Sequence, residues 1–262
     1  MVHRSSLAQY CTLLIVGIMY LFLYIPIIVL MVFSFNSSVF PYVWKGATLE
    51  WYAELWRSSQ VWDALYNSLL VACMTVVLSV VMGVSFVLYA TRNFMMRAMV
   101  VFYGTLAAPE IVLAVGLLSF FSLCSIAPGF MTLVAAHTLL GLGYVVPIVY
   151  GRYSELNYAL IEASFDLGAT RSQTYWRIII PLLKPSILAA GLLVFIISLN
   201  DFVISFFCSG SETQTLPMYI FSMIRSGTTP VVNVLSTVLM VVSGLLVLLF
   251  FSLQVKKTEI LS

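Results

Sequence analysis

Residues 187–208 read ILAAGLLVFIISLNDFVISFFC, a stretch whose one formal charge is Asp201. As a helix rising about 1.5 Å per residue, a run of this length crosses a hydrocarbon core of about 30 Å. Five further runs match it in length and character: Cys11–Phe35, Leu65–Ala90, Ala98–Leu123, Phe130–Tyr150 and Val231–Leu253. Backbone groups find no water in lipid, so spanning runs must be helical. The 262 residues are 62% hydrophobic and 8% charged, against about 25% charged in soluble domains. The expectation is an all-α polytopic membrane protein with six transmembrane helices forming a single domain over residues 1–262. The first run exceeds the apolar stretch of a secretory signal, and no small-residue cleavage site follows it, so it reads as retained.

Orientation follows from the basic residues. With the N-terminus inside, inner segments carry Arg4, Arg92, Arg97, Arg152, Arg171, Arg177, Lys184, Lys256 and Lys257. Outer segments carry Lys45, Arg57 and Arg225. Nine against three fits the positive-inside rule with both termini cytoplasmic. The net charge of +2 then reflects insertion and gives no hint of nucleic acid.

Several chemistries are excluded. No G-x-x-x-x-G-K-[ST] occurs, so the chain has no phosphate cradle of its own. The two histidines are His3, at the N-terminus, and His137, which reads as a hydrogen-bonded packing residue of the fourth span. No catalytic triad or metal set assembles, so no catalytic residue, metal or cofactor is assigned to the chain. Cys11, Cys73, Cys124 and Cys208 are scattered and read as small apolar packers. The glycosylation-like Asn36-Ser37-Ser38 carries no weight. Active transport would draw its energy from an ion gradient or from another chain.

The connection from Arg152 to Pro185 is longer than two neighbouring spans need, and too short for a core of its own. Asn157 is an N-cap for a helix to Leu167, and Gly168 suits the left-handed residue that ends it. Thr170-Arg171-Ser172-Gln173 has capping-box form and starts a second short helix. Pro181 is expected to stop that helix, and Pro185 to open the next span. Glu162 and Asp166 share one face, with Ala163 and Ser164 small enough for close approach. Spacing alone leaves a docking loop and a pair of amphipathic helices on the membrane surface equally open.

The run Glu162-Ala163-Ser164-Phe165-Asp166-Leu167-Gly168, nine residues, then Ile178-Ile179-Ile180-Pro181 resembles the EAA motif of ABC importer permeases. Ser164 stands where the motif has its second alanine, and Ile180 where it has leucine. The resemblance implies the type I importer (MetI-like) fold and a cytoplasmic coupling helix over Glu162, Ala163, Ser164, Asp166, Gly168, Ile178 and Pro181. That helix would dock on an ATPase subunit dimer, which would bind the ATP and magnesium.

Two acids fall inside predicted spans. Glu110 follows Pro109 midway along the third, and Asp201 follows Asn200 in the outer half of the fifth. Intramembrane acids mark pathways or partners. Pro109 is expected to kink its helix and bare a carbonyl beside Glu110, together making a cation way-station. Tyr144 and Pro147 are expected to break the fourth span at a similar level. The acids read equally as groups held by a neighbouring helix or subunit. Phe206, Phe207 and Tyr219 near the outer end are able to stack on an ammonium group or simply to pack. Trp44, Trp51, Trp56 and Trp62 in the first outer loop read as interface anchors.

The likeness extends further. Tyr24-Ile25-Pro26-Ile27, Ser34-Phe35-Asn36-Ser37-Ser38, Trp51-Tyr52, Pro109-Glu110, Ser198-Leu199-Asn200-Asp201 and Leu216-Pro217 through Tyr219 are similar to the polyamine permeases. Within them they are nearest the spermidine/putrescine type of the second-permease kind. Asn200-Asp201 stands where that family often has two acids, and Glu110 where it more often has aspartate. The resemblance implies a bacterial inner-membrane permease working with a sister permease, an ATPase dimer and a periplasmic binding protein that delivers a polyamine. Permeases for iron or thiamine share the same loop. An ion-coupled secondary transporter using Glu110 and Asp201, or a membrane scaffold, are the rival readings from other classes.

Overall fold

The fold is taken from a computed structural model, which describes residues 6–39, 43–211, 213–227 and 230–261. His3 and Arg4 lie outside the described residues. In chain order the helices are α1 (Ser6–Phe33), α2 (Glu50–Arg57), α3 (Ser59–Tyr89), α4 (Arg92–Ala107), α5 (Glu110–Leu123) and α6 (Phe130–Ser154). There follow α7 (Tyr158–Asp166), α8 (Arg171–Thr174), a π-helical turn (Tyr175–Ile179), α9 (Ile180–Asn200), α10 (Val203–Cys208), α11 (Leu216–Ser226) and α12 (Pro230–Leu261). Among the described residues no strand forms, only one bridge between Asn36 and Ala47. Gln9–Phe33, Ser59–Tyr89, Phe130–Ser154 and Arg171–Asn200 are each long and apolar enough to cross a membrane.

The chain divides into two compact units, one of residues 60–219 and the other of the segments before and after it. The larger unit is built around α6, the most buried of the spanning helices. Val145, Val146 and Val149 of α6 pack with Val87 and Leu88 of α3, Met95 and Met99 of α4, and Leu183, Ala190 and Val194 of α9. Small residues let the backbones close. A Cβ on Gly141 of α6 would collide with Ser79 of α3 and Val194 of α9, and one on Gly83 of α3 with Val145. Lipid offers no hydrophobic drive between helices, so such close contact is what joins them. Ser79 reinforces it by donating to the carbonyl of Thr138 at 3.2 Å.

In the smaller unit, α12 packs on α1 and α2. The first loop is organised by Asn36, whose amide donates to Val43 O at 2.8 Å and accepts from Ser38 N at 3.2 Å and Lys45 N at 3.1 Å. The side chain that resembled a glycosylation acceptor is therefore buried and fully used. Trp51 of α2 donates to the Asn36 carbonyl at 2.9 Å, which ties that helix to the loop.

Four expectations are corrected. The third apolar run is not a kinked helix but two helices, α4 and α5, meeting at 111°. Ala108 and Pro109 are both extended there, because a proline has no N–H to continue the ladder and disfavours helix in the residue before it. The fourth span, conversely, runs unbroken through Tyr144 and Pro147. The fifth run breaks at Asp201, which takes an extended conformation between α9 and α10. Pro181 does not end a helix either: α8, the π turn and α9 are contiguous, with Pro181 in the first turn of α9 and Pro185 inside it. The π turn closes with Ile180 N donating to the Tyr175 carbonyl, just before Pro181.

Between α10 and α11, Gly210 has φ +70°, and a Cβ there would run into the carbonyl of Pro128. Gly210→Ala combines a left-handed backbone with that collision and is expected to destabilise the larger unit by about 1–3 kcal/mol. Thermal unfolding in detergent, with Gly104→Ala as a control whose Cβ meets nothing, measures it.

Candidate functional site

The two helix breaks place the two intramembrane acids together. Glu110 is the first residue of α5, where the freed amides of Val112 and Leu113 turn back to the Pro109 carbonyl. An acid in a first helical turn is favoured by the positive end of the helix dipole. Asp201 sits in the other break and takes up the freed donors of α10: Oδ1 accepts from Ile204 N at 3.3 Å, and Oδ2 from Ser205 N at 2.8 Å. Because α10 packs on α5 and α6 through Ala114, Phe121, Ala136, Ile204 and Cys208, the two helix breaks bring Glu110 within electrostatic reach of Asp201. Glu110 remains exposed on the chain surface, whereas Asp201 is buried.

Behind Asp201 stands His137 of α6, only 2% exposed. Its Nε2 is 3.1 Å from Asp201 Oδ2 and its Nδ1 is 2.7 Å from Ser198 Oγ of α9. Ser205 Oγ of α10 lies 3.4 Å from the same Nε2. The expected hydrogen-bonded histidine is therefore present, but its partner is one of the two acids. Sequence reasoning places His137 only as a packing residue and Ser198 only within a family-like motif, and it misses Ser205 and the link of all three to Asp201. The available signal was positional: Ser198, Asp201 and Ser205 fall at i, i+3 and i+7, on one helical face, opposite the single imidazole within a span.

Among the other candidates, Asn200 turns back to the Ile196 carbonyl at 2.9 Å. Tyr144 packs at the edge of the α3–α4–α6–α9 core. Tyr219 of α11 is buried. Phe206 sits between Phe202 and Phe207, with ring centroids 5.5 Å apart in both pairs, on an exposed side of α10.

The long connection folds as a helical hairpin. Asn157 caps α7 by accepting from Ala159 N, Gly168 ends it at φ +81°, and Thr170 and Gln173 form a reciprocal capping box on α8. Ser164 is the hinge pin: buried at the crossing, its hydroxyl bonds Thr174 Oγ1 at 2.9 Å and donates to Ile161 O at 2.7 Å. Glu162, Ala163, Asp166, Gly168 and Pro181 are exposed, and Ile178 is half-buried. Leu167, Trp176, Tyr158 and Phe165 add large apolar surface beside them, Leu167 at 88% exposure. A cavity of about 440 Å³, lined by Tyr150, Tyr153, Tyr158 and Ile161 among others, opens beneath α7.

A bundle of broken spans carrying such a hairpin is the architecture of importer permeases. A bacterial ABC transporter involved in alginate import superposes with a TM-score of 0.72 at 14% identity, covering 97% of this chain and 99% of that one. The alginate transporter in complex with its pentasaccharide-bound periplasmic protein gives 0.67 at 19% identity, covering 93% and 92%. Residues 75–259 match the family of binding-protein-dependent transport system inner membrane components, and the chain belongs to that family. Among curated relatives, the spermidine/putrescine transport system permease PotC of Haemophilus influenzae is 36% identical over 88% of this chain and 91% of its own length. PotC of Escherichia coli K12 is 36% identical over 87% and 88%. The putrescine permease PotI of the same organism is 32% identical over 86% and 83%. The chain is thus a multi-pass permease subunit of a binding-protein-dependent importer.

Replacing Ser164 by alanine removes the tie between the two hairpin helices, worth about 1 kcal/mol. Amide exchange across α7 is expected to accelerate by roughly 2–10-fold with the spanning helices unaffected, as hydrogen exchange on the detergent-solubilised chain can measure.

Proposed function

We propose that this permease conducts polyamines, with Glu110 and Asp201 as the point where an ammonium group pauses in transit. The observation that carries the reading is the placement of two carboxyl groups at two helix breaks on helices that pack together within the spanning region. Neighbouring acids repel unless a proton or a cation lies between them, and Asp201 alone suffices to cap α10. A diamine or triamine offers the matching cation, and the exposed ring of Phe206 supplies a face for it. The likeness to the PotC and PotI permeases supports the same substrate class.

The chain works beside a sister permease and an ATPase dimer, with a periplasmic binding protein presenting the cargo and both termini in the cytoplasm. On this reading the chain binds no cofactor itself: the ATP and magnesium sit on the ATPase. The hairpin from Arg152 to Pro185 docks on that dimer, Glu162 and Gly168 at the contact and the exposed Leu167 and Trp176 beside them. Nucleotide-driven closure pulls the hairpin. Because α8, the π turn and α9 are contiguous, the pull passes without a joint into the helix that ends at Asp201.

The test is uptake of labelled putrescine and spermidine by the complete importer in proteoliposomes. Glu110→Gln and Asp201→Asn are each expected to raise the half-saturation concentration by about tenfold, the loss of one charge-assisted hydrogen bond. Unchanged uptake in both would remove the acids from the pathway. In a parallel series, Glu162→Ala and Gly168→Val are expected to abolish uptake while the chain still inserts. Full uptake with normal ATPase association in those variants would contradict docking at the hairpin.

A further inference from the structure

We infer that His137 is a positioning residue for cargo recognition: it sets the orientation of the Asp201 carboxylate through a buried Ser198–His137–Asp201 chain. The inference rests on the proposed role of the two acids and extends it to residues outside the pathway surface.

The hydrogen-bond inventory around Asp201 forces one arrangement. Its carboxylate accepts two backbone donors from α10, Ile204 N on Oδ1 and Ser205 N on Oδ2, and Oδ2 also faces His137 Nε2. A carboxylate only accepts, so Nε2 must carry a hydrogen, and in the neutral ring Nδ1 is then an acceptor that takes the Ser198 hydroxyl proton. Oδ2 thus has both of its acceptor positions filled by Ser205 N and His137. Oδ1 keeps one free. The ring and the helix start together leave Oδ1 as the atom on which Asp201 can meet a cation.

Each partner comes from a different helix: His137 from α6, Ser198 from α9, Ser205 from α10 and Glu110 from α5. The ring therefore reports the packing of α6 on α9 to the acid pair, and α9 is the helix continuous with the docking hairpin. Ser198 anchors the far nitrogen, so the imidazole cannot rotate away from Asp201 without breaking a 2.7 Å contact. A histidine that served packing alone would need neither bond, and an apolar residue of its volume would fill the same space among buried neighbours.

The experiment is a mutant cycle on the complete reconstituted importer, read as half-saturation and maximal rate of labelled putrescine uptake with basal ATP hydrolysis as the assembly control. His137→Leu is expected to raise the half-saturation concentration roughly tenfold with basal hydrolysis unchanged. His137→Gln, which restores an amide donor toward Asp201, is expected to recover most of it. His137→Leu combined with Asp201→Asn is expected to be no worse than Asp201→Asn alone, because the ring acts only through that carboxylate. Multiplying defects, or His137→Leu with unaltered half-saturation, would overturn the inference. If His137→Leu fails to assemble, Ser198→Ala must raise the half-saturation concentration in the same direction, and no change there overturns it equally. Loss of effect from Asp201→Asn and Glu110→Gln themselves would instead indict the pathway reading.

Discussion

In hydrocarbon an unpaired backbone amide costs several kcal/mol, so a spanning helix is free to break only where something nearby takes up the donors it releases. Asp201 does this for the fifth run: its two oxygens accept from Ile204 N and Ser205 N as α10 begins. Much of the larger unit depends on that contact. It permits α10 to fold back on α5 and α6, and it seats the Cys208 carbonyl on the Thr132 hydroxyl at 2.8 Å, closing the end of α10 onto the start of α6. It also holds a charge inside the protein, which then requires His137 behind it and, on the proposed function, a cation in front.

The second break answers the same constraint with a different residue. At Pro109 the missing donor ends α4, and the carbonyl of that proline accepts from the amides of Val112 and Leu113. The freed helix start favours an acid at its first position, where Glu110 sits. Two independent breaks, one made by a proline and one by an aspartate, converge because α10 packs on α5. The hairpin obeys an ordinary aqueous logic instead: polar caps at Asn157 and Thr170, a left-handed glycine, and Ser164 bridging the crossing to Thr174.

The hairpin was legible in the sequence nearly residue by residue, because caps and a C-terminal glycine are local signals. Four of the six apolar runs were equally legible as spanning helices, since length and hydropathy decide them. The breaks were not. Pro109 and Pro147 present the same local signal, yet α6 passes through Pro147 in a tightly packed core while the chain turns by 111° at Pro109. Tertiary packing, absent from the sequence, makes that choice. Asp201 was read as an acid within a helix and proved to end one. His137 was read as hydrogen-bonded packing, but its partner lies 64 residues away, a distance no periodicity spans.

On the proposed function a cationic cargo rests between Glu110 and Asp201. The decisive measurement is a structure of the complete importer, trapped with nucleotide and putrescine during transport. An amine density is expected within hydrogen-bonding distance of the Glu110 carboxyl and of Asp201 Oδ1, with His137 still on Oδ2. Putrescine density elsewhere along the path, with Glu110 turned to lipid or to another subunit, would contradict it.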